Sequence, residues 1–451
     1  MRCSHSRGAG WGAANGACGG GTESCRTELA LDVRGARQHG AFVDVPVADP
    51  SEALRQLYES FPYPRSVSGL DAFRSGERQP IWNPKTSYSV FFPESKPRGQ
   101  LDILIAGCGT NLMPVFGAFM PGARIVGVDI SRASLEISAG LCASHDIDNV
   151  EHHQVALEEV ASLGRTFDFV CCTGVLHHLA DPAAGLRALG EVTRPDGAIM
   201  AMVYARYGRQ GVYMLQDLAS MLGLRIDELS AAKTQKLLAQ LPATHPFRSV
   251  YREVGEVISI EEVMDMILNP RDRSFRVHDV RELVEDAGLR FHRWLGNAPY
   301  RPEMTALGQA GLLPEADALG PWDQAAAAEL AFGNIIKHSF VVTHLGRATA
   351  AELFEGMALL DAYPSLSTHL KVEHAGANLV VTNEGHGVPI ETAAPVAEMA
   401  ALLKACDGHR TVGQLASAFG DSVVSAYRHL YNADAITLSK VPHVAGPPAA
   451  P

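Results

Sequence analysis

Short apolar runs alternate with amphipathic segments through the middle of the chain. Alternation of this kind predicts an α/β fold in which helices cover both faces of a mostly parallel sheet. After residue 273 a helix at 278–287 and strands at 289–295 and 338–344 bring the predicted sheet to seven strands. The earlier predicted strands are 101–106, 124–128, 150–154, 167–173 and 197–204, and the earlier predicted helices are 134–144 and 182–191.

The region between residues 206 and 273 breaks this alternation. It contains helical patterns bounded by Pro242 and Pro270, and we interpret it as a helical insertion after the fifth strand. Insertions at the carboxyl edge of a sheet commonly cap the active site. The predicted organisation is a disordered segment at 1–28, an N-terminal arm or lid at 29–98, a doubly wound domain at 99–347, a small domain at 348–441 and a flexible tail at 442–451.

The C-terminal domain has its own order of elements, which is typical of a small α+β winged-helix-like module. Its last helix offers only Arg428 and His429 as donors to phosphate, so we expect no nucleic acid to bind there. Docking of a protein partner or formation of a homodimer is the better interpretation. The predicted elements are a hairpin at 369–384, helices at 395–405, 411–419 and 422–432, and a strand at 435–439.

Composition narrows the range of substrates. The 451 residues are 47% hydrophobic and have a formal net charge of −12, which argues against broad electrostatic binding of nucleic acid or anionic membranes. The eight cysteines form no CxxC pair and have no zinc spacing, which favours reduced thiols, a cytoplasmic location and no metal site. No apolar run reaches the roughly 18 residues of a membrane helix, and we expect no secretory signal. A small molecule or a peptide is the expected substrate.

The most informative stretch is 101–129, in which a strand, a glycine turn, a helix and a second strand follow one another. Gly107 and Gly109 allow a ligand to approach the backbone, and the free N–H groups at the start of the next helix favour an anionic group. Asp129 ends the second strand, where a carboxylate can accept hydrogen bonds from both ribose hydroxyls of an adenosine. Leu112 replaces the third glycine of a dinucleotide turn, which disfavours NAD and FAD, and no GxxxxGK[ST] segment is present to hold ATP.

Four motifs in order give these observations a family. GCGTN at 107–111, GVDIS at 127–131, FDFVCCTGVLHHLADP at 167–182 and RPDGAIMAMVY at 194–204 resemble the successive motifs of class I S-adenosylmethionine-dependent methyltransferases. The resemblance implies a Rossmann-like methyltransferase sheet with S-adenosyl-L-methionine as the cofactor. It also implies that the methionine part lies over residues 106–111, the ribose against Asp129, and the adenine against Ile130.

Two positions depart from the family pattern. Asn111 stands where the family has a glycine, and asparagine tolerates a left-handed backbone better than other residues with a side chain. Ala156 stands where an acidic residue usually holds the adenine amino group, so Leu157 becomes a backbone contact to adenine and Glu158 a candidate substitute. The cofactor-binding candidates are Ala106, Gly107, Cys108, Gly109, Asn111, Asp129, Ile130, Leu157, Glu158, Thr173 and Gly174.

The predicted reaction is in-line displacement of a methyl group onto an oxygen or nitrogen atom of a small-molecule, peptide or carrier-bound acceptor. Positioning supplies much of the catalysis, and a base is needed only where the acceptor must lose a proton. His177 or His178, after the fourth strand, is the candidate base, against the alternative that this pair orders a turn. The substrate-binding candidates are Tyr63, Tyr204, Arg206 and Tyr207. The rival function is a non-catalytic cofactor-binding scaffold or a regulatory protein that acts through the C-terminal module.

Overall fold

The computed structural model describes residues 50–80, 82–250, 258–368, 370–383, 388–391 and 396–442. The chain divides into two compact units, 1–47 and 48–451, and the described residues all belong to the second. The predicted segment 1–28 and residues 443–451 of the predicted tail lie outside the described residues.

A mostly parallel sheet forms the centre of the second unit. Its strand order is β3-β2-β1-β4-β5-β7-β6, with β7 antiparallel to both of its neighbours, which confirms the predicted seven-stranded Rossmann-like methyltransferase fold. The strands are β1 (Asp102–Ala106), β2 (Arg124–Asp129), β3 (Val150–Gln154), β4 (Phe167–Thr173), β5 (Thr193–Tyr204), β6 (Arg290–Trp294) and β7 (Lys337–Thr343).

Helices cover the sheet on both faces, because its central strands carry apolar side chains in both directions. Ile103 and Phe169 belong to the core on one face, and Leu104 and Val170 belong to the core on the other. All four side chains are completely buried. Burial on both faces is the reason that these strands appear in the sequence as continuous apolar runs.

Fourteen helices accompany the sheet within the described residues up to 343. They are α1 (Pro50–Ser60), α2 (Asp71–Arg74), α3 (Tyr88–Phe91), α4 (Leu112–Phe119), α5 (Arg132–Ser144), α6 (Pro182–Glu191), α7 (Gln210–Met221), α8 (Glu228–Gln240), α9 (Pro246–Val250), α10 (Ile260–Met266), α11 (Val277–Asp286), α12 (Ala306–Gln309), α13 (Leu313–Asp317) and α14 (Pro321–Phe332).

The predicted insertion consists of α7 to α10, and it packs against the N-terminal arm. Leu57 of α1 shares one apolar core with Val212, Phe247 and Val263 of the insertion. Residues that lie far apart in sequence therefore form a single helical layer beside the carboxyl edge of the sheet. The arm and the insertion contribute Leu54, Tyr58 and Asp265 to the cavity at this edge, and no local sequence motif identifies these residues.

The C-terminal residues form a small unit with its own core around Leu415, Tyr427 and Leu430. It contains two antiparallel sheets, with strand orders β11-β10-β9 and β12-β8. The winged-helix assignment stays a prediction. The elements are α15 (Ala350–Phe354), β8 (Tyr363–Leu366), β9 (Leu370–Ala375), β10 (Asn378–Asn383), β11 (Val388–Glu391), α16 (Val396–Lys404), α17 (Val412–Phe419), α18 (Ser422–Asn432) and β12 (Ile436–Ser439).

A buried ion pair fastens this unit to the sheet. The guanidinium of Arg293, on β6, lies 3.1 Å from a carboxylate oxygen of Asp434. None of the described helices combines the length and the apolar character needed to cross a bilayer.

We expect Phe169→Ala to lower the free energy of unfolding by about 3–5 kcal/mol, because it opens a cavity beside the central strand. Phe419→Ala is the matched control, since that phenylalanine is 49% exposed and its removal should cost within about 0.5 kcal/mol. Chemical denaturation measures both changes. Equal losses for the two variants would contradict the assignment of the core.

Candidate active site

The glycine turn after β1 has the backbone that the sequence requires. Gly107 and Gly109 both have positive φ, at +70° and +52°. An added Cβ at Gly107 would lie 2.1 Å from a methyl carbon of Val175, and one at Gly109 would lie 2.6 Å from the carbonyl oxygen of Tyr63. Both the conformation and the space therefore require glycine at these two positions.

The carboxylate of Asp129 points at this turn. One of its oxygens accepts a hydrogen bond from the Gly109 N–H at 2.8 Å, and the other accepts one from the Ser131 N–H at 2.9 Å. Burial raises the pKa of the Asp129 carboxyl, and these backbone donors oppose the shift. The end of β2 thus holds an acceptor directly beside the turn after β1.

A cavity of about 290 Å³ opens over the turn, at the carboxyl ends of the parallel strands. Ligands in open α/β sheets bind at this edge. Ala106 is completely buried in β1 and Asn111 faces the arm, so neither of these cofactor candidates lines the cavity. The candidates that do line it are Gly107, Cys108, Gly109, Asp129, Ile130, Leu157, Glu158, Thr173 and Gly174.

The structure corrects the expectation for the backbone of Asn111. Its φ is −118°, so the left-handed conformation that we predicted is not used. The side-chain amide instead donates to the carbonyl of Arg65 at 2.8 Å and accepts from the Val67 N–H at 3.0 Å, while the Thr110 hydroxyl donates to the Pro64 carbonyl. Asparagine replaces glycine here because it holds the N-terminal arm over the turn.

Part of the cavity wall is aromatic and contains a buried carboxylate. The hydroxyl of Tyr58 donates to one oxygen of Asp265 at 2.7 Å, and the hydroxyl of Tyr204 donates to the other at 3.3 Å. Tyr63 and Met202 also line the cavity. The sequence does not single out Tyr58 and Asp265, because they come from the arm and the insertion and are 207 residues apart. Asp265 is one of three acidic residues in the short helix α10, so its charge is no signal by itself.

Asp265 is an unusual carboxylate. It is 4% exposed, and in the described part of the chain no Lys or Arg side chain lies within ion-pair distance of it. Burial raises its pKa, and the hydrogen bond from Tyr58 and the guanidinium of Arg209 act in the opposite direction. A buried acidic group without a cationic partner, on the wall of a cavity, is a strong candidate for substrate recognition.

Of the two candidate histidines, only His178 lies on the cavity. Its Nδ1 lies 2.6 Å from the carbonyl oxygen of Arg271, so this nitrogen carries the proton in the neutral ring and Nε2 carries the lone pair. His177 is completely buried and packs against the Tyr204 ring at 4.0 Å. Burial lowers the pKa of His177 well below its ordinary value. His178 is the better placed of the two histidines, and its Nε2 is buried without a hydrogen-bond partner among the described residues.

The substrate candidates also separate. Tyr63 and Tyr204 line the cavity, whereas Arg206 and Tyr207 do not. Arg206 lies instead at a surface depression that Arg273 and Asp279 also line.

The expectation of no metal site stays a prediction. The structure does bring together side-chain atoms of His177, His178 and Asp272, all within 4.8 Å of one another. The guanidinium of Arg209 at 3.2 Å and the amide of Gln216 at 2.9 Å both contact Oδ2 of Asp272, and Oδ1 is buried without a hydrogen-bond partner among the described residues. Its ion pair with Arg209 makes Asp272 part of the internal structure of the site.

Comparison with known proteins agrees with this geometry. Residues 104–199 match a family model described as "Methyltransferase domain". This segment of the chain is therefore similar to a methyltransferase domain. An uncharacterized protein of Synechococcus sp. is 28% identical to the chain over 305 residues, which is 66% of this chain and 72% of that protein. The ubiquinone biosynthesis O-methyltransferase of Neisseria meningitidis is 30% identical over 98 residues, which is 22% of this chain and 41% of the relative.

A solved structure shares the methyltransferase fold over most of the chain. PKMT2 from Rickettsia typhi, in complex with AdoHcy, has a TM-score of 0.58 and is 15% identical. The match covers 84% of this chain and 77% of PKMT2. The likeness therefore extends beyond the methyltransferase domain.

We expect Asn111→Ala to release the arm, because it removes two hydrogen bonds to arm backbone at a cost of about 1–3 kcal/mol. Hydrogen exchange of residues 63–70 should become faster. Asn149→Ala is the matched control, since that amide donates to the carbonyls of Met120 and Ala123, away from the arm. Faster exchange of the arm in both variants, or in neither, would refute the role of Asn111.

Proposed function

We propose that the protein is an S-adenosylmethionine-dependent methyltransferase that acts on an oxygen or nitrogen atom of a small-molecule, peptide or carrier-bound acceptor, and that an amine is the acceptor that fits the site best. The observation that carries the proposal is a single cavity whose wall includes the glycine turn, Asp129, Asp265 and His178. Cofactor and acceptor can meet within it.

The cofactor end suits S-adenosyl-L-methionine. Asp129 can accept hydrogen bonds from the ribose hydroxyls, and the backbone at Gly107 and Gly109 can approach the amino-acid end. Ile130 and Leu157 line the wall where the adenine is expected, with Glu158 beside them. The AdoHcy in the structure of PKMT2 supports the same class of ligand for this fold.

The acceptor end suits an amine. Asp265 accepts hydrogen bonds from two neutral phenols and has no lysine or arginine within ion-pair distance in the described part of the chain, so an ammonium group would give it a direct ion pair. The rings of Tyr58 and Tyr204 beside that carboxylate offer an aromatic surface to a cation. A neutral hydroxyl acceptor would offer Asp265 no such ion pair.

The chemistry requires one proton acceptor. S-adenosylmethionine supplies a methyl group on a sulfonium, a leaving group that is already activated. Asp265 binds and orients the protonated amine, and Nε2 of His178 takes one of its protons, so that the nitrogen lone pair can attack the methyl carbon. The new nitrogen–carbon bond forms as the sulfur–carbon bond breaks. The electron pair of the broken bond stays on the sulfur. Closure by the arm and the insertion excludes water from this step.

The proposal also includes the cellular compartment and the binding partners of the protein. The described cysteines are all free and buried, in keeping with a reducing compartment, and we place the enzyme in the cytoplasm. We expect no nucleic-acid partner and no membrane partner, and we assign the contact with a protein partner or a second copy to the C-terminal unit.

Asp129→Asn should weaken binding of S-adenosylhomocysteine by about tenfold to hundredfold, because the hydrogen bonds from the ribose would lose their charged acceptor. Isothermal titration calorimetry measures the loss. Asp181→Asn is the control, because Asp181 caps α6 outside the cavity and should leave the affinity unchanged. Wild-type protein that binds NADH in place of S-adenosylhomocysteine would overturn the cofactor assignment.

Asp265→Asn should keep the affinity for the cofactor and lower kcat/KM for an amine acceptor by about a hundredfold, because the ammonium loses its buried counter-charge. Methyl transfer is measured with isotope-labelled S-adenosylmethionine and the extract fraction that the wild-type enzyme labels. The control is Asp227→Asn, at the N-cap of α8 in the same insertion. Cofactor binding without any labelled product in the wild type would favour a non-catalytic scaffold, and full activity of Asp265→Asn would refute the amine assignment.

A further inference from the structure

Two buried arginine–aspartate pairs occupy different places in the molecule. Arg209 and Asp272 lie at the two ends of the insertion, with side chains 3% and 1% exposed and the closest atoms 3.2 Å apart. Arg293 and Asp434 join the sheet to the C-terminal unit, with side chains 7% and 4% exposed and a separation of 3.1 Å. Breaking either pair should destabilise the fold, because each partner would leave a buried charge behind.

Only the first pair contacts the acceptor end of the cavity. The guanidinium carbon of Arg209 lies 3.5 Å from the centre of the Tyr204 ring, which is close for a cation–π contact. His177 packs against the same ring at 4.0 Å. Tyr204 therefore has little freedom to turn.

The orientation of this ring matters because its hydroxyl reaches Asp265. The hydrogen bond between them is 3.3 Å long, so a small rotation of Tyr204 would break it. The Arg209 guanidinium also provides positive charge near a carboxylate that has no ion-pair partner in the described part of the chain.

We propose that Arg209 and Asp272 act as positioning residues for methyl transfer, fixing the ring of Tyr204 and balancing the charge around Asp265. The inference rests on the proposed function. Neither residue lines the cavity, so neither is assigned a contact with the acceptor or the cofactor.

The charged and titratable groups around Asp265 determine the sign of the effect. Tyr58 comes from α1, Tyr204 from β5, His178 from the turn after β4, and Arg209 and Asp272 from the ends of the insertion. Burial raises the pKa of Asp265, Arg209 lowers it and Asp272 raises it. The acceptor needs the ionised carboxylate, so activity falls as the pH drops through the pKa of Asp265.

The two halves of the pair should therefore shift the pH profile in opposite directions. Arg209→Met removes the positive charge and should move the acid limb of kcat/KM upward by roughly one pH unit. Asp272→Asn removes the negative charge and should move the same limb downward. Arg209→Lys keeps the positive charge but loses the planar contact with the Tyr204 ring. The acid limb of kcat/KM should therefore stay at its wild-type pH, while the KM for the acceptor rises.

The experiment measures kcat/KM from pH 5.5 to 9 with labelled S-adenosylmethionine and the extract fraction that the wild-type enzyme labels. Arg209→Met should lower kcat/KM at neutral pH by about tenfold to hundredfold, mainly through the acceptor KM. Calorimetry with S-adenosylhomocysteine and thermal unfolding accompany each variant, to show that the cofactor end and the fold remain intact.

Arg293→Met is the matched control, since it breaks the other buried pair. It should lower the melting temperature without moving the acid limb. Limb shifts of the same sign in Arg209→Met and Asp272→Asn, or no shift in either, would overturn the positioning role. Absence of labelled product with the wild-type enzyme would instead overturn the proposed function, and the two failures are thus distinct. Should Arg209→Met fail to fold, Asp272→Asn and Arg209→Lys still test the direction in which the acid limb of kcat/KM moves.

Discussion

The carboxylate of Asp265 is the point at which three separate parts of the chain meet. Tyr58 approaches it from the arm, Tyr204 from the end of β5, and Asp265 itself comes from the insertion. Both oxygens are occupied by phenol hydroxyls, so the group keeps its solvation only while all three parts stay together. The acceptor end of the cavity therefore exists as a consequence of one shared buried charge.

Sequence reasoning succeeded where the relevant residues are close together along the chain. Gly107, Gly109 and Asp129 are brought together by two neighbouring parallel strands, in which Ala106 pairs with Val128. Strand alternation likewise revealed the seven-stranded sheet, because buried strands are apolar on both faces. These features depend on local patterns that one sequence contains in full.

Contacts between residues that are far apart in sequence could not be predicted from local patterns. Tyr58 and Asp265 are 207 residues apart, and no spacing rule connects them. The glycine turn alone suggests a left-handed backbone at Asn111, because the family has a glycine at this position. The structure shows that a contact with the arm decides that position, and the arm has no motif of its own.

The hydrogen-bond donors around Asp102, Asp129 and Asp265 distinguish a structural acid from acids that line the cavity. At the amino ends of the strands, Asp102 is held by Arg124 and Arg194, and hydrogen bonds from these guanidinium groups lower its pKa. At the carboxyl ends, Asp129 and Asp265 accept hydrogen bonds from neutral donors, and burial raises the pKa of each. An acid that is paired with arginine has its charge neutralised by the protein itself. Asp129 and Asp265 have no arginine or lysine partner in the described part of the chain, and both line the cavity between the arm and the sheet, where each can still bind a ligand.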